Sequence, residues 1–282
     1  MTVGVVGLGL IGGSMARAYK AAQHKVSGLD KDSAALGYAL LSGICDNELT
    51  KDNIGECDIV FIALYPEASI KWLQENGKHI STKCFVIDLC GTKKNICEEG
   101  FRAADEYGFT FVGGHPMAGT QFSGIKYSRK DLFKGAPMVI VPPRYDDIEL
   151  LDKIKTLLSP ALFGSISVTT AEKHDEMIAF TSQLAHIVSN AYIKSETAKS
   201  HGGFSAGSYK DMTRVAWLNE NMWTELFHEN SDNLIKELRF IIDSLTEYKT
   251  ALENDDKDTM RALLKDGRIL KEKIDGNSQK KA

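Results

Sequence analysis

Proline is scarce in this chain of 282 residues: there are six, and the last is Pro160. Average usage is near ~5% of residues. Everything after Pro160 is therefore free of the residue that removes a backbone donor and clashes with the preceding helical turn. Cysteine is also sparse and unpatterned. Cys45, Cys57, Cys84, Cys90 and Cys97 make five, an odd number, and no two stand in CxxC spacing. That argues against a disulfide framework or a zinc site, so reduced thiols in a cytoplasmic protein are expected and no metal is. No apolar run reaches the ~20 residues that span a bilayer. The opening Met1-Thr2-Val3-Gly4 has no basic leader, so it does not read as a signal peptide. A basic excess is missing too: 34 Lys and Arg face 38 Asp and Glu, a formal net charge of −4. A nucleic-acid partner needs phosphate-neutralising cations, so none is expected, and neither is a membrane. What remains is an ordinary globular composition, 43% hydrophobic and 26% charged. At roughly 100–200 residues per domain the length favours two domains.

The first part of the chain alternates short Val- and Ile-rich runs with amphipathic stretches. The runs are Val3–Leu8, Val26–Leu29, Ile59–Leu64, Cys84–Leu89, Thr110–Val112, Met138–Val141 and Ile166–Val168. Each reads as a strand buried on both faces. Helices are expected between them at Gly12–Ala22, Ser33–Leu41, Glu67–Asn76, Lys93–Tyr107 and Asp147–Leu158. This alternation implies an α/β fold with a mostly parallel, doubly wound sheet. Past residue 170 the strands stop. Thr169-x-x-Glu172 reads as a capping box, and Met177, Phe180, Leu184, Ile187 and Ala191 continue with helical spacing. A weaker box, Ser208-x-x-Asp211, opens a helix through about Asn230. Leu234, Leu238, Ile241, Leu245, Tyr248 and Leu252 then form an a/d stripe. The expected domains are 1–169, a dinucleotide-binding sheet, and 170–282, all helical. The stripe serves either internal helix packing or a dimer seam.

Gly7-Leu8-Gly9-Leu10-Ile11-Gly12 is a G-x-G-x-x-G loop between the first strand and a helix that continues through Ser14. The first glycine permits the turn, the second lets a pyrophosphate approach, and the third lets helix and strand pack closely. The pyrophosphate is expected on the helix N-terminus, where the dipole favours anions. The second strand ends at Asp30, whose carboxylate suits an adenosine ribose and repels a 2′-phosphate. NAD is therefore preferred to NADP, although Lys31 works against that preference.

Ligands bind beyond the C-terminal ends of the strands in such sheets. Those ends carry Leu64-Tyr65-Pro66, Asp88-Leu89-Cys90-Gly91-Thr92-Lys93 and Gly113-Gly114-His115-Pro116-Met117-Ala118-Gly119-Thr120. Only His115 titrates near neutrality, and its place in a loop between glycines and proline suits a general base. His174, in a first helical turn, reads as structural. His186 lies beside the Met177–Ala191 stripe, and Arg214 offers a fork that matches a carboxylate.

These elements together resemble the prephenate dehydrogenase family. They are G-x-G-x-x-G-x-S, Asp88-x-x-Gly91-Thr92-Lys93, Gly114-His115-Pro116-Met117-Ala118-Gly119-Thr120, and Lys210-Asp211-Met212-Thr213-Arg214 followed by Met222-Trp223. The resemblance implies a Rossmann-type domain joined to an all-α dimerisation domain, with the site between them and a homodimer as the assembly. It implies oxidative decarboxylation of prephenate with NAD to 4-hydroxyphenylpyruvate, carbon dioxide and NADH. By that resemblance His115 is the base and Thr92 places hydroxyl and nicotinamide. Arg214 binds a substrate carboxylate, and His186, Thr120 and Gln121 line the substrate. Asp211 orders the Arg214 region. Gly7, Gly9, Leu10, Ile11, Gly12, Ser14, Asp30, Leu64, Tyr65 and Pro66 hold the cofactor.

Many family members carry an acidic residue where Gln121 stands. Such a residue could pair with the amino group of arogenate, the aminated alternative substrate, so Gln121 leans toward prephenate. No fused mutase or regulatory domain is expected in the space available. The alternatives are an arogenate dehydrogenase, a β-hydroxyacid dehydrogenase or imine reductase, and a non-enzymatic dinucleotide sensor. His115 together with Arg214 disfavours all but the first.

Overall fold

The computed structural model describes residues 1–279. The strands are β1 (Thr2–Val6), β2 (Lys25–Leu29), β3 (Asn47–Glu48), β4 (Ile59–Ile62), β5 (Phe85–Asp88), β6 (Thr110–Pro116), β7 (Pro137–Val141) and β8 (Ser165–Val168), and all but β3 arise from the apolar runs. Helices α1 (Leu10–Ala21), α2 (Ser33–Leu41), α3 (Pro66–Asn76), α4 (Lys94–Tyr107) and α5 (Ile148–Leu158) lie between them. The strands join in one sheet of order β3-β2-β1-β4-β5-β6-β7-β8. All neighbours are parallel except β6 and β7, where His115 pairs with Val139 in antiparallel register. His115 therefore ends a strand instead of sitting in a loop. The sheet is packed on both faces, which is why its strands read as unbroken apolar runs. Val3, Val5, Ile59 and Phe61 enter one core. Val60, Ile62, Val86 and Phe111 enter the other.

The order of connections reverses between β1 and β4, the position at which doubly wound sheets open a ligand crevice. The turn into α1 is confined to glycine at two points. Gly7 has φ +87°, and a Cβ on Gly12 would lie 1.8 Å from the Gly7 carbonyl oxygen. β3 escapes the sequence pattern because its two residues are polar and exposed.

The helical half begins with α6 (Ala171–Ile178), a π-turn (Ala179–Leu184) and α7 (Ala185–Tyr192). The cap of α6 is Thr170, whose side chain accepts from the Lys173 N–H, one residue later than the box at Thr169. The π-turn inserts a residue into the apolar phase. It leaves Met177 and Phe180 exposed and turns Gln183 inward. The helix expected from Ser208 to Asn230 is two, α8 (Gly207–Thr213) and α9 (Glu220–Glu229). α9 starts afresh on Asn219, whose side chain accepts from the Met222 N–H. By packing, residues Met1–Ser231 form one compact unit, so α6 to α9 group with the sheet; the residues from Asp232 onward form a second. The second unit holds two long helices, α10 (Ser231–Glu253) and α11 (Lys257–Gln279). Among the described residues no helix is long and apolar enough to cross a membrane.

One ion pair is fully enclosed. The Lys93 ammonium donates to Asp88, and both residues are 0% exposed. Asp88 also accepts from the backbone N–H of Cys90 at 2.9 Å and of Gly114 at 3.1 Å. The pair thus fastens the end of β5 to β6 and to the start of α4. Breaking a buried pair by removing one partner costs about 3–5 kcal/mol, because a charge is left unpaired. Lys93→Met is expected to lower unfolding free energy by that amount in urea titrations, and Lys93→Met/Asp88→Leu to recover part of it. An unchanged midpoint for the single variant would mean that the pair does not hold these elements together.

Candidate active site

At the C-terminal edge of the sheet a chain of three side chains begins on β6. His115 Nδ1 lies 2.8 Å from His174 Nε2, and His174 Nδ1 lies 2.7 Å from Asp175 Oδ1. Asp175 is fixed from the other side. Its two carboxylate oxygens accept the backbone N–H groups of Lys93 at 2.8 Å and Lys94 at 2.9 Å, the start of α4. An acceptor-only carboxylate requires His174 to carry its proton on Nδ1. His174 Nε2 then accepts, so His115 donates from Nδ1 and leaves Nε2 as an open acceptor. This is the tautomer a general base needs. Burial, the facing His174 and the nearby Lys93 all hold the His115 imidazole well below its ordinary pKa. Burial likewise lowers His174, with Asp175 opposing it.

Thr92 follows β5 and is 2% exposed. Its hydroxyl donates to Glu229 Oε2 at 2.5 Å. Glu229 Oε1 is 3.4 Å from Asn95 Nδ2. Burial pushes the Glu229 carboxyl above its usual range, with Thr92 and Asn95 drawing it back. Asn230 donates to the Asp175 carbonyl and to Gln183 Oε1, each at 2.8 Å, which locks the α9 end onto α6 and the π-turn.

Burial lowers the pKa of His186, on α7, with its bond to the Ser182 carbonyl opposing and the charge of Arg214 adding to the shift. The His186 Nδ1 bonds the Ser182 carbonyl at 2.8 Å, leaving Nε2 open. Its ring lies against Trp223, with centroids 4.1 Å apart, and Trp223 meets Phe227. Arg214 follows the last turn of α8 and is exposed. Asp211 is exposed one turn earlier, and among the described residues the two form no ion pair. Thr120 and Gln121 lie in the exposed segment after β6, where the Thr120 hydroxyl engages Phe122. No hydrogen bond joins either to His115 among the described residues.

The glycine loop offers a cradle for a dinucleotide. A Cβ on Gly9 would meet nothing within 4 Å, and no side chain caps the start of α1, with Leu10 and Ile11 in its first turn. Asp30, just past β2, accepts from the Leu8 N–H at 2.6 Å and the Asp32 N–H at 2.9 Å. Leu64, Tyr65 and Pro66 lead from β4 into α3, with Tyr65 as its cap. Ser14 is turned inward: its hydroxyl donates to the Leu10 carbonyl and accepts from the Arg129 N–H. It is a strut beneath the loop.

His174 was read as structural, and Asp175, Glu229 and Asn230 escaped the sequence reading. The adjacent His-Asp pair at the start of the first post-sheet helix was the available signal for two of them. Glu229 and Asn230 had none, because their partners are distant in sequence.

The depressed histidines link stability to pH. The unfolded chain takes up protons on His115 and His174 near pH ~6.5, and the native fold does not. Stability from these groups is therefore complete above pH ~6.5 and falls as the pH drops below it. Urea unfolding at pH 7.5 and 5.5 is expected to show a less stable protein at 5.5. The variant His115→Asn/His174→Gln should narrow that difference; an undiminished difference would place its origin elsewhere.

Two family models cover most of the chain. Residues 15–162 match the nucleotide-binding domain of prephenate dehydrogenase, and residues 170–266 match its dimerization domain. A prephenate dehydrogenase of Bacillus subtilis (strain 168) is 27% identical over 270 residues, 92% of this chain and 72% of that protein. The structure of Synechocystis arogenate dehydrogenase aligns with TM-score 0.79 and 27% identity, over 97% of this chain and 100% of that one. Prephenate dehydrogenase from A. aeolicus, in complex with hydroxyphenyl propionate and NAD+, gives TM-score 0.79 and 26% identity, over 97% and 98% of the two chains. With both halves matched in order, and with a tautomer-fixed histidine at the edge of a dinucleotide cradle, the chain belongs to the prephenate dehydrogenase family.

Proposed function

We propose that the chain is an NAD-dependent prephenate dehydrogenase, converting prephenate to 4-hydroxyphenylpyruvate and carbon dioxide. The observation that carries this reading is the His115–His174–Asp175 chain, which holds His115 neutral with Nε2 open. The glycine cradle and Asp30 fit NAD, which supplies the hydride acceptor when bound. His115 Nε2 takes the proton of the ring hydroxyl. As His115 becomes cationic, its Nδ1–H bond to His174, backed by Asp175, stabilises the charge. Loss of the ring carboxylate aromatises the product. Arg214 and His186 bind the substrate's anionic end, with Asp211, Thr120 and Gln121 at its margin. Residues 1–169 serve the cofactor and 170–282 the substrate and assembly.

An absorbance assay for NADH, with prephenate and arogenate side by side and with NAD and NADP, tests this reading. Turnover is expected with prephenate and NAD. His115→Asn is expected to lower kcat by about 10²–10⁴-fold, the usual contribution of a general base. Arg214→Ala should raise KM by about 10-fold or more, the worth of a charge-assisted bond. Full turnover in His115→Asn would remove the assigned base. The likeness to the Synechocystis enzyme supports arogenate as the second reading, and a clear preference for it would reverse the lean that Gln121 gives.

The assembly proposed is a homodimer. The matched dimerization domain supports it, as do the exposed apolar residues Phe240, Ile242, Leu245 and Leu252 on α10 and Leu264 and Ile274 on α11. Solvent-facing apolar residues in such number on two helices call for a covering surface. The proposed location is the cytoplasm. Sedimentation velocity is expected to show a dimer, and Phe240→Glu/Leu252→Glu to weaken it. A monomer at all concentrations would contradict the proposal.

A further inference from the structure

The cleft beyond β1 and β4 has two halves. Asp30, at the end of β2, marks the adenosine side, and the start of α1 takes the pyrophosphate. The remaining part of a dinucleotide must run the other way, toward the ends of β4 and β5. Thr92 stands there, just past β5. A threonine hydroxyl has one proton and two lone pairs. Its proton is already committed, because the partner at 2.5 Å is Glu229 Oε2. An ionised carboxylate only accepts, so Thr92 is left with lone pairs alone for anything in the cleft.

The carboxylate is held for this task. The Asn95 amide approaches its other oxygen at 3.4 Å. One turn earlier on α9, Glu225 Oε1 accepts the Glu67 N–H at 2.8 Å, so α9 touches the first turns of both α3 and α4. The charged groups near Glu229 are the carboxyls of Glu225 on its own helix and Asp175 on α6, and both work against its ionisation. Glu229 forms no ion pair among the described residues. A half-buried carboxylate without a cation carries a desolvation cost that a purely structural residue would avoid.

We propose that Glu229 is a positioning residue of the nicotinamide half-site. By taking the Thr92 proton it turns the Thr92 lone pairs toward the cleft, where they accept from the carboxamide N–H of the cofactor. The inference rests on the reading of the chain as a nicotinamide-dinucleotide enzyme. It accounts for a carboxylate that the base chain does not use, and it makes Thr92 a reader of one chemical group on the cofactor ring.

Calorimetric titration tests it with NAD+ and with 3-acetylpyridine adenine dinucleotide, which lacks the carboxamide N–H. The proteins are the wild type, Thr92→Val, Glu229→Met and the double variant. Glu229→Met is expected to weaken NAD+ roughly 5–20-fold, the range of a lost hydrogen bond. The double variant should bind NAD+ no more weakly than Thr92→Val, because the two residues act as one unit. The acetylpyridine analogue should bind all four proteins within about 2-fold, and Glu229→Gln, whose amide oxygen still accepts, should retain most of the NAD+ affinity. If Glu229→Met loses its thermal transition, Glu229→Ala reads the same coupling. Unchanged NAD+ affinity, an equal loss for the analogue, or losses that add in the double variant would each overturn the proposal. Wild-type protein that binds NAD+ without turning over prephenate or arogenate would sink the proposed reaction and leave this inference standing. Absence of NAD+ binding would sink both.

Discussion

The Asp175 carboxylate has to satisfy three donors at once: the first two N–H groups of α4 and the Nδ1–H of His174. An anion at a helix N-terminus is favourable in itself, and here it also sets a proton. Because neither oxygen can donate, the direction of every hydrogen bond from Asp175 to His115 is determined. Packing and chemistry share the same atoms. The helix that follows the sheet is tied to α4 by the residue that dictates which nitrogen of His115 is open. Directly beneath, the enclosed Asp88–Lys93 pair fastens β5 and β6, so the two strand ends that bear Thr92 and His115 cannot drift apart independently.

Low effective dielectric makes this arrangement consequential. Buried imidazoles resist protonation, and the cationic Lys93 nearby adds to that resistance. An imidazole kept neutral by its surroundings retains an acceptor nitrogen over a wide pH range. When it takes up a proton, the Asp175 carboxylate beyond His174 is already aligned to compensate.

Much of this could be read from the sequence, for definite reasons. Double burial makes parallel strands continuous apolar runs, and seven of the eight strands carried that signal. β3 did not, being two exposed polar residues. The glycine loop was legible because steric demands at Gly7 and Gly12 admit no other residue. His115 was legible by its chemistry, but its surroundings were not, since β6 reaches four residues past the run that marked it and pairs antiparallel with β7. His174 looked structural because nothing local reveals that a ring 59 positions later will lie against His115. The π-turn broke the stripe at Met177 and Phe180, for a periodic reading cannot anticipate one inserted residue. Ser14 matched the pattern but turned inward, where its hydroxyl found nearer partners.

The reversal of β7 has a topological consequence. Since β6 and β7 run in opposite directions, the segment joining them leaves and re-enters the sheet at one edge, the edge that bears His115. Its two ends are clipped together where the Met117 N–H meets the Pro137 carbonyl at 2.9 Å. Ile125, Leu132 and Phe133 anchor its farther part in the core, whereas the stretch from Gly119 to Gly124, which includes Thr120 and Gln121, is exposed. A clipped loop of this kind can change length or composition without altering the register of any strand. The rim can thus vary while the strand ends that carry Thr92 and His115 keep their places.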